Sequence, residues 1–92
     1  MTKTEKKIEA TIVAQLTLAC KEAKTCTQGF EWLTHEVNFK SFPKSLLITC
    51  IFDDWNHATD NENQLALRRL CKDYLAQVKI PIKVDQVQFS VE

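Results

Sequence analysis

Between residues 30 and 52 two apolar, β-rich segments lie on either side of a short polar turn, and this pattern leaves a chain of 92 residues few folds to adopt. Residues 45–52, Ser-Leu-Leu-Ile-Thr-Cys-Ile-Phe, are almost continuously apolar. That is the pattern of a central strand covered on one face and partly covered on the other. Residues 30–39 alternate only in part, with Phe30 and Trp32 on one face and Leu33, Val37 and Phe39 on the other. The shift predicts a β-bulge near Trp32 or partial cover of both faces. Residues 40–44 join the two strands, and so short a connection makes them antiparallel.

Amphipathic helices flank this pair. Over residues 3–24 Ile8, Ile12, Val13, Leu16, Ala19, Cys20 and Ala23 recur at spacings of three and four, which predicts a helix of about five turns. The single glycine, Gly29, follows it and suits a positive-φ turn. After Asp53 and Asp54, residues 55–58 have the length of one helical turn, and Thr59 with Glu62 reads as a capping box. A second long helix is predicted to about residue 78, its buried stripe made of Leu67, Leu70, Cys71, Tyr74, Leu75 and Val78. Pro81 bars its continuation, and residues 87–91 alternate as a third strand. The fold class is therefore α+β, in the order αββ(α)αβ, with a three-stranded sheet and two helices packed on one face. A third strand reached through a helix is expected to run parallel to the second.

This length suits one domain spanning residues 1–92, and one glycine with two prolines leaves no linker. Residues 1–5, polar and charged, are expected to be disordered. Twelve basic residues balance twelve acidic ones, so nucleic acid has no global field to bind and any contact must be local. Cys20, Cys26, Cys50 and Cys71 form no C-x-x-C pair, and the first ten residues are charged rather than apolar. Both features point to a reducing cytoplasm. No apolar run has the length to cross a membrane.

No catalytic, metal-binding or phosphate-binding motif stands in the sequence. A turn centred near Phe42 sets His35 and Cys50 close to opposite each other, the arrangement an activated thiol needs, but a cysteine in so apolar a strand is expected to be a small core residue. His35, His57, Asp53 and Asp54 are the available metal ligands, and no regular spacing joins them. Neither a catalytic residue nor a metal nor a cofactor is expected. Lys3, Lys6 and Lys7 form one positive cluster and Arg68, Arg69 and Lys72 another; Trp32, Phe42 and Trp55 lie near strand ends and turns. The contact residues expected are Arg68, Arg69, Lys72, Trp32 and Trp55, on a monomer or weak homodimer. The function expected is a non-catalytic binding or regulatory module for a protein partner. The alternative is a nucleic-acid-associated factor using the basic helix face, with weak binding.

Residues 29–35, Gly-Phe-Glu-Trp-Leu-Thr-His, followed by Phe42-Pro43-Lys44-Ser45-Leu46, by Ile51-Phe52-Asp53 and by residues 64–70, resemble a group of short bacterial proteins. Many of these are described as Fis family transcriptional regulators, which implies a DNA partner. Fis itself is an all-helical dimer ending in a helix-turn-helix, whereas this chain ends in a strand, so no DNA-contacting residue carries over. The element order also resembles a KH-type domain of the second topology, α-β-β-α-α-β. That fold binds single-stranded nucleic acid through a G-x-x-G loop between its paired helices. Here the matching stretch, Ala58-Thr59-Asp60-Asn61-Glu62, has no glycine and two acids.

Overall fold

The computed structural model describes residues 2–92. Helix α1 spans Lys3–Cys26. The Thr2 hydroxyl accepts from the Glu5 amide at 3.1 Å, and the Glu5 carboxylate accepts from the Thr2 amide at 2.9 Å. This reciprocal cap opens the first helical turn, which takes in residues 3–5; Met1 lies outside the described residues. Ile12, Leu16, Ala19 and Ala23 form the buried stripe, whereas Val13, expected on it, is exposed. Gly29 takes φ +81°, as its position predicts, and its carbonyl accepts from the Asp53 amide at 2.9 Å, closing the loop onto the end of the sheet.

Strand β1 spans Phe30–Glu36 and strand β2 Leu47–Phe52, antiparallel, with the register shift falling between Phe30 and Trp32 as the broken alternation predicts. Both strands are shorter than expected, because local hydrogen bonds claim their ends. Asn38 caps a 3₁₀ turn at Phe39–Ser41 by accepting from the Lys40 amide, and Ser45 Oγ accepts from the Asn38 amide. The amides of Ser45 and Leu46 go to the carbonyls of Ser41 and Pro43, so neither is free for the ladder.

The short helix α2, Trp55–Ala58, is capped by Asp54, which accepts from the His57 amide at 2.9 Å. Helix α3, Asn61–Ala76, is capped by Asp60 and not by Thr59. The Thr59 hydroxyl instead donates to the Trp55 carbonyl at 2.7 Å, which removes it from the expected capping box. Strand β3, Val87–Val91, lies parallel to β2, and the sheet order is β1-β2-β3. The chain thus has the α-β-β-α-α-β order of the resemblance, in an α+β domain.

In β2 the side chains of Ile48, Cys50 and Phe52 are buried and alternate with half-buried Leu47, Thr49 and Ile51. The buried set, with Val87, Phe89 and Val91 of β3, packs into a core with Ile12 and Leu16 of α1 and Leu67, Cys71 and Leu75 of α3. Leu70 is only half-buried at the margin of this core, so the innermost line of α3 runs through Leu67. The Gln15 side-chain amide donates to the Tyr74 carbonyl at 2.6 Å and the Tyr74 hydroxyl to Glu22 at 2.9 Å, fixing α1 against α3. Among the described residues, no helix is long and apolar enough to cross a membrane.

A candidate binding groove between helix α3 and strand β3

Helix α2 and the first turn of α3 form a corner held by side-chain amides. Gln64 donates to the Ala58 carbonyl at 2.8 Å, and Asn63 donates to the His57 carbonyl at 3.0 Å and the Gln28 carbonyl at 3.2 Å. The corner presents Trp55 to solvent and faces β3 across an open groove of about 430 Å³, lined by Trp55, Thr59, Gln64, Arg68, Asp85, Gln88 and Phe89. The Arg68 guanidinium lies over the Phe89 ring, 5.1 Å from its centroid, a cation–π geometry that restrains the side chain. Arg68 also belongs to an adjoining hollow of about 320 Å³ with Leu65, Arg69, Lys72, Asp73 and Val84. Trp55, Leu65 and Val84 are 59%, 65% and 61% exposed, the three most exposed large apolar side chains among the described residues. Their convergence on one surface is what marks the site.

None of Arg68, Arg69 and Lys72 makes an ion pair among the described residues, and Arg68 Nε is buried with no hydrogen-bond partner. The Nη groups of Arg68 make no hydrogen bond within the described residues and are not among the buried unpaired atoms, so they are open to a charge-assisted bond with an acceptor brought from outside. Asp73 and Asp85 moderate the positive charge without neutralising it.

Of the five expected contact residues, Arg68 lines the groove with Trp55 and the adjoining hollow with Arg69 and Lys72. Trp32 is elsewhere: it stands opposite Ile51 on the sheet face turned away from the helices, 45% exposed. Phe42 is half-buried beside Phe39, their rings 6.1 Å apart, and packs on the core. Lys3, Lys6 and Lys7 are exposed on the first turns of α1. Leu65, Val84, Gln88 and Phe89 were not among the expected contacts. Leu65 falls off the α3 stripe, and that off-face leucine was the available signal.

His35 and Cys50 are not opposite. The register pairs His35 with Ile48 and Cys50 with Leu33. His35 Nε2 bonds the Glu9 carboxylate at 2.8 Å, and Cys50 is fully buried. Contact with the Cys71 thiol, reinforced by burial, pushes the Cys50 thiol far above the ordinary cysteine range, which disfavours a thiolate. All four cysteines are free thiols. A depression of about 240 Å³ between α1 and β1 contains His35 and Cys20 but not Cys50.

Asp53, Asp54 and His57 place ligand atoms within 4.8 Å of one another, but hydrogen bonds within the turn already use them. His57 Nδ1 lies 2.7 Å from Asp53 Oδ1 and 3.5 Å from Asp54 Oδ1. His35, grouped with these residues as a ligand from sequence, is tied instead to α1 through Glu9. The bond to Asp53 raises the pKa of His57, and the bond to His57 lowers that of Asp53. His57 therefore stabilises the fold fully below its unfolded value of ~6.5, and loses that contribution as pH rises through its raised folded value. Asp53 contributes above ~3.9 and loses its contribution as pH falls through its depressed folded value. A double-mutant cycle of His57→Ala and Asp53→Ala is expected to give its largest coupling near pH 5 and a smaller one at pH 8.5. Coupling that grows with pH would show that the pair is not charged.

Comparison with protein-family models, with curated proteins and with solved structures gives no match for this chain.

Proposed function

We propose that this chain is a small non-catalytic binding module of the cytoplasm that engages a protein partner through the α3–β3 groove. The supporting observation is the convergence of exposed Trp55, Leu65 and Val84 on an Arg68 that is stacked on Phe89 and paired with nothing. Aromatic side chains and arginine carry most of the energy of protein interfaces, and they do so where a central anchor is surrounded by apolar contacts that exclude water. An open groove with a restrained arginine supplies that anchor.

Nucleic acid is the second reading, favoured by the element order and by three cations beside a tryptophan. Against it stands the turn between α2 and α3. A phosphate-binding turn needs open backbone amides, and here Asp60 accepts from the Asn63 amide at 3.0 Å while Glu62 adds a second negative charge. Three cations also give a shallow dependence on salt, a slope of roughly −3 at most. Titration of labelled duplex and single-stranded DNA at about 150 mM salt is expected to give no sub-micromolar, sequence-dependent binding. Such binding, lost when Arg68 and Arg69 are both changed to Ala, would overturn the protein-partner reading.

A further inference from the structure

Strand β3 is an outer strand of the sheet, and its backbone orientation can be read from one hydrogen bond. The Glu92 amide donates to the Phe52 carbonyl at 3.4 Å, so residue 92 faces β2. Backbone groups alternate along a strand. Ser90 and Gln88 therefore also face β2, and the amides and carbonyls of Phe89 and Val91 point the other way, to the free edge. The Val87 amide is occupied by the Val84 carbonyl. No turn or loop hydrogen bond among the described residues uses those of Phe89 or Val91.

The two edges of the sheet differ in how they are protected. β1 carries a bulge between Phe30 and Trp32 and the charged residues Glu31 and Glu36, which are devices that discourage pairing. β3, Val-Gln-Phe-Ser-Val, has no charge, no proline and an unbroken register with β2. It is also the edge that borders the groove: Phe89 carries the Arg68 guanidinium, and Gln88 and Trp55 line the same space.

We propose that the free edge of β3 accepts an extended segment of the protein partner as a fourth strand, and that this segment carries a carboxylate that pairs with Arg68. The inference rests on the reading of the groove as a protein-binding site and adds to it the conformation and charge of what binds. An incoming strand lies about 4.8 Å from β3 and turns alternate side chains to the helical side. One of these meets Arg68, whose charge is unpaired, and a neighbour on the same face meets the exposed Trp55 ring. Main-chain bonds to Phe89 and Val91 supply affinity that does not depend on sequence, while the carboxylate and an apolar residue supply the preference.

The test uses the full chain and a synthetic nine-residue peptide of alternating glutamate and valine with a central phenylalanine, alongside its lysine-for-glutamate counterpart. The acidic peptide is expected to bind at least tenfold more tightly than the basic one. Arg68→Ala is expected to weaken it about tenfold, with part of the loss restored by Arg68→Lys. Amide hydrogen exchange at Phe89 and Val91 is expected to slow at least tenfold on binding, while Gln88 and Ser90, already bonded to β2, change little. Binding without new protection at Phe89 and Val91 would overturn strand addition and leave the groove standing. Equal binding of the basic peptide would overturn the carboxylate. No binding of the acidic peptide overturns the inference, while the groove reading is judged separately by capture of a protein on Trp55 and Arg68. A concentration-dependent dimer that protects these amides without peptide would assign the edge to a second copy. A single-stranded oligonucleotide that protects them would assign it to nucleic acid. Either result overturns the proposal.

Discussion

Leu67→Asp is expected to leave the protein without a cooperative thermal transition. Leu67 is fully buried in the core between α3 and the sheet. Removing a leucine from such a position costs about 2–5 kcal/mol, and a carboxyl group with no partner there adds several more. A domain of this size is stable by roughly 5–14 kcal/mol, so the combined loss consumes most or all of it. Leu70→Asp makes the control, because Leu70 sits at the core margin and its carboxylate can reach water. That variant is expected to melt cooperatively at a lower temperature. Circular dichroism through a thermal ramp separates the two. A cooperative melt of Leu67→Asp near the wild-type temperature would mean that α3 turns a different face to the sheet.

Gly29→Ala is the second large effect, and it has two separable causes. At φ +81° a side chain costs about 1–2 kcal/mol through crowding with its own backbone. The added Cβ would also lie 2.3 Å from His57 Nδ1 and 2.6 Å from Asp53 Oδ1, closer than atoms can approach. The half-buried imidazole must therefore swing away and give up its bond to Asp53. A loss of about 2 kcal/mol or more corresponds to a melting temperature lower by at least about 8 °C. Adding His57→Ala removes the imidazole and leaves the exposed Asp53 carboxylate free to turn aside, while the backbone penalty remains, so Gly29→Ala is expected to cost less in that background. An equal cost in both backgrounds would place the whole effect in the backbone.

The strands were legible because period-two alternation survives in a short segment. It placed β3 at residues 87–91 and located the bulge by the break between Phe30 and Leu33. The ends of β1 and β2 were not legible, since Asn38 and Ser45 redirect backbone amides through contacts that no propensity encodes. The cap of α3 shows the same limit. Thr59 and Asp60 are both good caps, and the choice falls on whether the Trp55 carbonyl is near enough to take the threonine hydroxyl. On α3 the three-four spacing fits Leu67 and Leu70 alike, and only packing against α1 and the sheet decides which is innermost.

The groove was legible only in part. Arg68, Arg69 and Lys72 stand out as a run, and Trp55 as an aromatic near a turn, but nothing in the sequence joins them to Phe89 or Val84. That juxtaposition arises from parallel pairing of β3 with β2 beyond a helical crossover, a long-range consequence of topology. Trp32 carried the same local signature as Trp55, and the bulge sent it to the opposite face of the sheet.

Whether the groove engages a protein is read most directly by capture from cell extract on the immobilised full chain. The capture is run with and without nuclease, in parallel with a variant carrying both Trp55→Ala and Arg68→Ala. Both side chains are substantially exposed or marginal to the core, so the variant should keep the wild-type circular dichroism. The expected result is a discrete protein that is retained after nuclease treatment, lost with the variant, and bound again when purified. Material released by nuclease, or a protein held equally by the variant, would contradict the assignment of this groove as a protein-binding site.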